Sequence, residues 1–418
     1  MKGSNSALSL NSDYSIFSDA IYEHRYNNAV AHYRFLALTP HVESFLNIAI
    51  VNLTSNENKK DIAYLYSRGG FGFLHLGYYN RAREWHWNAL AIRERVLGKE
   101  HLDTATTYNN IAGVCDCQGD YSAALKWHQK TLIIREKILG VNHPDTATIY
   151  NNIAGVYDAL NDYPSALKWY RKALITFEGA LGIEHPDVAT TYNNIANVYF
   201  NQGDYLEALE WGQKSLTIRK MVFGAEHLET ASTYNTIALI KVRQGDYVNA
   251  LKLHQKTLTI CEKELGMEHP NTAKSYSGIA GVYECQGNHP KALKWYQKAL
   301  PIFEKMLGFD HPDTAIIYNG IARMHDNLGD YPNALEWYHK DLDVCEKIFG
   351  IYHPNTAVTY SAIARLYDNL GDYPNALKWY HKNLDICEKV LGIYHLNTAA
   401  IYNSIAKVYD NQGDCPNA

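Results

Sequence analysis

One interval governs this chain. His101, His143, His185, His227, His269, His311, His353 and His395 recur every 42 residues. Tyr108, Tyr150, Tyr192, Tyr234, Tyr276, Tyr318, Tyr360 and Tyr402 keep the same step, as do Gly98, Gly140, Gly182, Gly224, Gly266, Gly308, Gly350 and Gly392. No insertion breaks the spacing, and Gly77 and Tyr79 extend it upstream by matching Gly119 and Tyr121. A period of this size marks stacked copies of one supersecondary unit. It excludes dividing the 418 residues into two or three unrelated globules, and it accounts for the 33 tyrosines.

One unit, residues 143–182, reads as two helices. Pro144 has the fixed φ favoured at a first helical position, and Asp145 puts negative charge on the first turn. Tyr150, Ile153, Ala154 and Tyr157 then recur at i, i+3, i+4 and i+7, one apolar helical face. Asn161-Asp162 breaks the helix where other copies have Gly-Asp, as at Gly203-Asp204. The second helix starts at Tyr163-Pro164 and carries Ala166, Trp169, Tyr170, Ala173, Leu174, Phe177 and Leu181 to Gly182. Nothing in the unit reads as a strand. A hairpin this small buries both faces only against further copies, so the expected fold is all-α, an α-solenoid.

Those residues resemble tetratricopeptide repeats. The 42-residue period and the loop Leu139 to Ala147, reading Leu-Gly-x-x-His-Pro-Asp-Thr-Ala, resemble the kinesin light chain-like subgroup. The resemblance implies a right-handed superhelix of antiparallel helix pairs whose first helices line a concave peptide groove. It covers residues 61–418, as eight full units and an incomplete ninth. Residues 1–60 form an atypical segment without the heptad coiled coil of a kinesin light chain. There Tyr26, Ala29, Tyr33 and Pro40 have the spacing of a second helix from a degenerate repeat, and Phe45 to Leu53 reads as a capping helix. The ninth unit stops at the start of its second helix, which raises a fragment of a larger protein, or self-association through an open apolar face.

The candidate groove lies on the first helices. Asn109, Asn151, Asn193 and Asn235 belong to one row that resumes at Asn319 and Asn403. Asn110, Asn152 and Asn194 begin a second row, which decays to Thr236, Gly278, Gly320, Ala362 and Ser404. An amide side chain offers both donor and acceptor, so such rows can pair with a peptide backbone without reading its sequence. Asn197 lies on the same stripe. The second row resembles the asparagine ladder of the O-GlcNAc transferase superhelix. One turn on, Asp116, Asp158, Glu284, Asp326, Asp368 and Asp410 form an acidic row interrupted by Phe200 and Val242. Asp116 and Asp158 are the candidates for meeting basic side chains. Arg323, Arg365 and Lys407 stand three residues before Asp326, Asp368 and Asp410, a spacing expected to give ion pairs along one helix.

A lysine ladder on the second helices, Lys130, Lys172, Lys214, Lys256, Lys298, Lys340 and Lys382, is the alternative site, an anionic edge. The in-phase tryptophans Trp85, Trp127, Trp169, Trp211, Trp295, Trp337 and Trp379 read as core. The histidines read as helix-start residues, because equivalent positions on stacked helices stand too far apart to share a metal ion. Cys345 and Cys387 are too far apart for a disulfide on the same ground.

No phosphate loop, nucleophile elbow, metal motif or carboxylate pair is present, so neither an enzyme nor a cofactor is expected. A net charge of −5 argues against nucleic acid as the partner. No apolar run reaches the ~18 residues of a membrane span, Met1 to Ser15 is polar, and the seven cysteines form no CxxC pair, so a cytoplasmic location is expected. The expected partner is a protein or extended peptide, with basic side chains where it meets the acids.

Overall fold

The computed structural model describes residues 37–44, 46, 55–390 and 392–413. Seventeen long helices run through the described residues. They are α1 (Asn56–His75), α2 (Tyr79–Leu97), α3 (Leu102–Cys117), α4 (Tyr121–Leu139), α5 (Pro144–Ala159), α6 (Tyr163–Leu181), α7 (Pro186–Gln202), α8 (Tyr205–Phe223), α9 (Leu228–Arg243), α10 (Tyr247–Leu265), α11 (Pro270–Cys285), α12 (His289–Met306), α13 (Pro312–Asn327), α14 (Tyr331–Ile348), α15 (Pro354–Asn369), α16 (Tyr373–Val390) and α17 (Leu396–Gln412). No strand occurs among the described residues. The fold is an all-α solenoid of helical hairpins. Two compact units divide between Val282 and Tyr283, within α11. In the first, each helix from α1 to α10 packs on the next; in the second, the same holds from α12 to α17.

The loop before each first helix explains the repeated Gly, His and Thr. Gly140 has φ 91° and ψ 163°, a region essentially confined to glycine. His143 stands at the N-cap of α5, where its Nδ1 accepts the Asp145 backbone N–H at 3.1 Å. The other seven in-phase histidines cap in the same way. The Thr146 hydroxyl donates to the Gly140 carbonyl at 2.9 Å. Thr104, Thr230, Thr272, Thr314, Thr356 and Thr398 repeat that bond. Second helices start on an aspartate: the side chains of Asp120, Asp162, Asp204 and Asp246 accept the N–H three residues on.

The core follows the sequence stripe. Tyr150, Ile153, Ala154, Ala166, Tyr170, Ala173 and Phe177 are buried together, closed by Val188, Ala189 and Ile195 of the next first helix. Burying one such large apolar side chain contributes ~1.5–3 kcal/mol. The tryptophans divide. Trp85 is fully buried against Tyr66 and Phe73. Trp127, Trp169, Trp337 and Trp379 are half-buried, each facing the first-helix tyrosine of its unit at 5.2–5.7 Å between ring centroids. Upstream, Pro40 lies inside the helical residues 37–44 rather than beyond a helix end, and Val42 and Leu46 pack on Ile62, Leu65 and Tyr66. The candidate helix around Tyr26, Ala29 and Tyr33, and most of the stretch from Phe45 to Leu53, lie outside the described residues.

Candidate functional site

The asparagine rows run along α3, α5 and α7, all half-buried, and part of their hydrogen bonding goes to one another. The Asn152 amide donates to Asn109 Oδ1 at 2.9 Å, from one repeat to the preceding one. The Asn151 amide donates to the buried Thr191 hydroxyl at 3.0 Å, in the following repeat. Asn110 reaches Ser67 at 3.4 Å. Asn235 Oδ1 lies 3.1 Å from the His254 ring. Asn193 keeps a buried Oδ1 without a partner, and Asn194 and Asn197 are half-buried beside it on α7. The rows therefore stitch neighbouring repeats as well as lining the first-helix face.

The acidic row is also built between repeats, which corrects the ion pairs expected along one helix. The Arg323 guanidinium reaches back to Glu284 at 3.1 Å, and that of Arg365 to Asp326 at 2.7 Å. The physical reason is geometric: the stacked first helices bring the arginine of one repeat alongside the acid of the repeat before. Asp326 is 8% exposed. Asp158 accepts from the Asn201 amide at 3.1 Å, and Asp368 from Asn411 at 3.3 Å. Where Phe200 replaces the acid, Arg243 lies over its ring at 5.8 Å. Asp116 departs from all of these. Its Oδ1 is buried with no partner, and burial pushes its pKa up to about 6. Burial also raises the Asp158 carboxyl, against the pull of Asn201.

The lysine ladder lies on aromatic rings. Lys130 stands 4.1 Å from the Trp127 ring centroid, Lys172 3.9 Å from Tyr150, Lys214 4.3 Å from Trp211 and Lys256 4.6 Å from Tyr234. Lys298, Lys340 and Lys382 stand over Trp295, Trp337 and Trp379 at 5.2, 4.1 and 4.2 Å. Each ring face attracts the ammonium group. Below them, Tyr150 donates to Glu136 at 2.7 Å, in the preceding second helix, and Lys172 meets the same carboxylate at 3.3 Å. The ladder is thus part of a repeated Lys–aromatic–Glu stack, although its side chains remain partly exposed.

Two cavities in the second unit were not anticipated from the sequence. One of about 320 Å³ is lined by Val358, Ser361, Asn383, Ile386, Cys387 and Ala400. The other, about 230 Å³, holds Ile316, Asn319, Asp341, Cys345, Val358 and Thr359. Asp341 is a buried carboxylate that accepts from Asn319 at 2.8 Å and Thr359 at 2.7 Å. The available signal was substitution: Thr106, Thr148 and Thr190 in the first unit become Ile316, Val358 and Ala400 here. No group of three or more His, Cys, Asp or Glu that could hold a metal ion occurs among the described residues. No helix among them is long and apolar enough to cross a membrane.

Comparison with known proteins agrees with this architecture. The chain belongs to the tetratricopeptide repeat family, whose model matches residues 61–137, 117–178, 187–247, 229–305, 313–374 and 369–418. Its 42-residue units resemble those of kinesin light chains. No curated protein matches the chain. The apo form of the quorum sensor NprR from B. thuringiensis has a TM-score of 0.54 at 15% identity, covering 90% of this chain and 98% of that one. A Rap protein complexed with Competence and Sporulation Factor has a TM-score of 0.52 at 12% identity, covering 84% and 99%. The nearly identical TPR-like repeats of a Podosopora anserina protein assigned to the kinesin light chains, in two solved forms, have TM-scores of 0.40 and 0.41 at 23% and 22% identity, covering 49% of this chain and 98% and 97% of those. The likenesses to NprR and the Rap protein show the fold.

Proposed function

We propose that the chain is a non-enzymatic protein–protein interaction scaffold that holds an extended peptide on the first-helix face of its first unit. The observation that carries this reading is the run of half-buried amides on three successive first helices: Asn109 and Asn110, Asn151 and Asn152, Asn193 and Asn194. Held against one another across repeats, as Asn152 is by Asn109, such amides are preorganised and lose little side-chain entropy on binding. Asn197 and Asn235 extend the face. The Rap protein was solved with the Competence and Sporulation Factor, so a fold of this kind accommodates a bound partner. The lysine edge is the lesser reading, because its ammonium groups already stand on rings.

A degenerate nonapeptide library, with mass spectrometry of the retained peptides, tests the proposal. Wild type is compared with a variant carrying Asn110→Ala, Asn152→Ala and Asn194→Ala, both first matched for helicity. The expected result is retention by wild type and at least tenfold less by the variant. Equal retention by both proteins moves the site off this face, and no retention by wild type removes the peptide reading.

A further inference from the structure

Of the acids in the row that are followed by another first helix, one differs from the others in what meets it. In the second unit, Glu284 takes the Arg323 guanidinium at 3.1 Å and the Tyr296 hydroxyl at 3.0 Å. Asp326 takes Arg365 at 2.7 Å, while the buried Tyr338 hydroxyl has no hydrogen-bond partner. Each arginine stands 39 residues after its acid. In the first unit, the residue 39 positions after Asp116 is Gly155, which has no side chain to offer. The second kind of partner, the amide that Asn201 gives to Asp158, is also missing: the residue equivalent to Asn201 is Ala159. Asp116 has thus lost both partners that its counterparts use, and its inner oxygen is buried with no hydrogen bond.

The lane the arginine would fill is open. A Cβ placed on Gly155 meets only the Tyr170 hydroxyl, at 3.6 Å, an ordinary contact. In the register that maps Asp326 and Arg365 onto Asp116 and Gly155, Tyr170 answers to Tyr380, and its hydroxyl stands beside the gap. The position of Tyr296 and Tyr338 relative to their acids is taken at Asp116 by His128, whose burial lowers its pKa to about 4 and leaves it uncharged near neutral pH. Among the described residues, no cation therefore answers Asp116.

We propose that Asp116, Gly155 and Tyr170 form a socket for an arginine side chain of the bound partner, the chain's own Arg365–Asp326 pair being the internal image of that contact. The proposal rests on the peptide reading above and specifies one residue of the ligand. Arginine is favoured over lysine on two grounds. A planar guanidinium can donate to a carboxylate and a tyrosine hydroxyl at once, whereas an ammonium group is a point charge. Within the acidic row, moreover, the two acids that meet a cation of the next repeat take arginine, and where Lys407 stands 39 residues after Asp368, the carboxylate bonds to Asn411.

The test uses four nonapeptide libraries, degenerate except for a central Arg, Lys, citrulline or Ala, against wild type, Asp116→Asn and Gly155→Arg. Citrulline keeps the shape of arginine without its charge. Gly155→Arg should supply the missing guanidinium from within, and replacing a helix-interior glycine should raise the unfolding temperature, so its loss of binding cannot be a loss of fold. Wild type is expected to retain Arg-centred peptides at least tenfold better than the Lys or citrulline sets. Both variants should lose that preference and keep the Ala-centred background. An Arg preference that survives in either variant, or no Arg preference in wild type, overturns the socket while leaving the peptide face standing. If wild type retains none of the four libraries, the peptide reading falls and the socket with it.

Discussion

Arg365 and Asp326 lie on successive first helices, yet the Arg365 Nη2 donates to Asp326 Oδ2 at 2.7 Å. The arginine is half-exposed, while the carboxylate side chain is 6% exposed. Burial raises the Asp326 pKa and the nearby Arg365 pulls it back down. The contact holds one repeat to the next, so its removal should loosen an interface rather than a hairpin. Arg365→Ala should cost about 1–2 kcal/mol, because it leaves a buried charge without a partner. Adding Asp326→Asn should recover most of that loss. Urea unfolding of the two single variants and the double variant, read as a double-mutant cycle, gives the coupling; additive losses would mean that the pair contributes nothing.

The loop glycines make a second prediction, with its control on the same chain. At Gly140, φ is 91° and ψ 163°. Alanine there must adopt a backbone region that L side chains rarely enter, and Gly140→Ala should cost ~1–3 kcal/mol. Gly113 lies within α3, and a Cβ on it meets nothing within 4 Å. Gly113→Ala should therefore stabilise by about 0.5–1 kcal/mol. Opposite signs for the two substitutions in urea melts are required; two losses of similar size would contradict the backbone account.

Much of the fold was legible because each device is local. The His-Pro-Asp start, the Gly at the loop and the i, i+3, i+4 stripe each act within about ten residues. What could not be read were contacts one repeat away. Arg323 stands three residues before Asp326 and 39 after Glu284, and only the stacking decides in favour of Glu284. The close packing at two glycines of the second asparagine row is likewise hidden from the sequence alone. A Cβ on Gly320 would sit 2.8 Å from the Tyr296 ring, and one on Gly278 2.7 Å from the His254 ring. Both glycines leave room for a buried ring of the preceding second helix.

The lysine stack predicts a stability effect. Lys172 stands over the Tyr150 ring and meets Glu136 at 3.3 Å. Lys172→Met keeps the apolar stem and removes the charge, and should cost about 0.5–1 kcal/mol. The exposed Lys168, four residues earlier, serves as the control, and its Met variant should change stability by less than about 0.5 kcal/mol. Equal effects of the two changes in urea unfolding would show that the rings contribute nothing to holding the ladder.

Acid sensitivity follows from three buried imidazoles. Burial lowers the pKa of His86, His128 and His254 to about 4, with Arg93 adding to the effect at His86. The unfolded chain binds these protons near the ordinary value of 6.5. Between pH 6.5 and 4 it therefore holds more protons than the folded one, so stability is full above 6.5 and declines as pH falls through that window. Asp116 acts in the opposite sense. Its pKa is raised from 3.8 to about 6, so the cost of burying its charge is present above 6 and is relieved on acidification. From pH 7 to pH 5 each histidine should remove about 2 kcal/mol, against a return of about 1 kcal/mol from Asp116. Replacement by tyrosine is the sharpest check, since Tyr170, Tyr296, Tyr338 and Tyr380 already occupy the same repeat position. At His254 the space is there as well: Gly278 faces its ring as Gly320 faces Tyr296. His254→Tyr should flatten the fall in urea midpoint between pH 7 and 5 by roughly a third. An unchanged pH profile in His128→Tyr and His254→Tyr would place the acid sensitivity elsewhere.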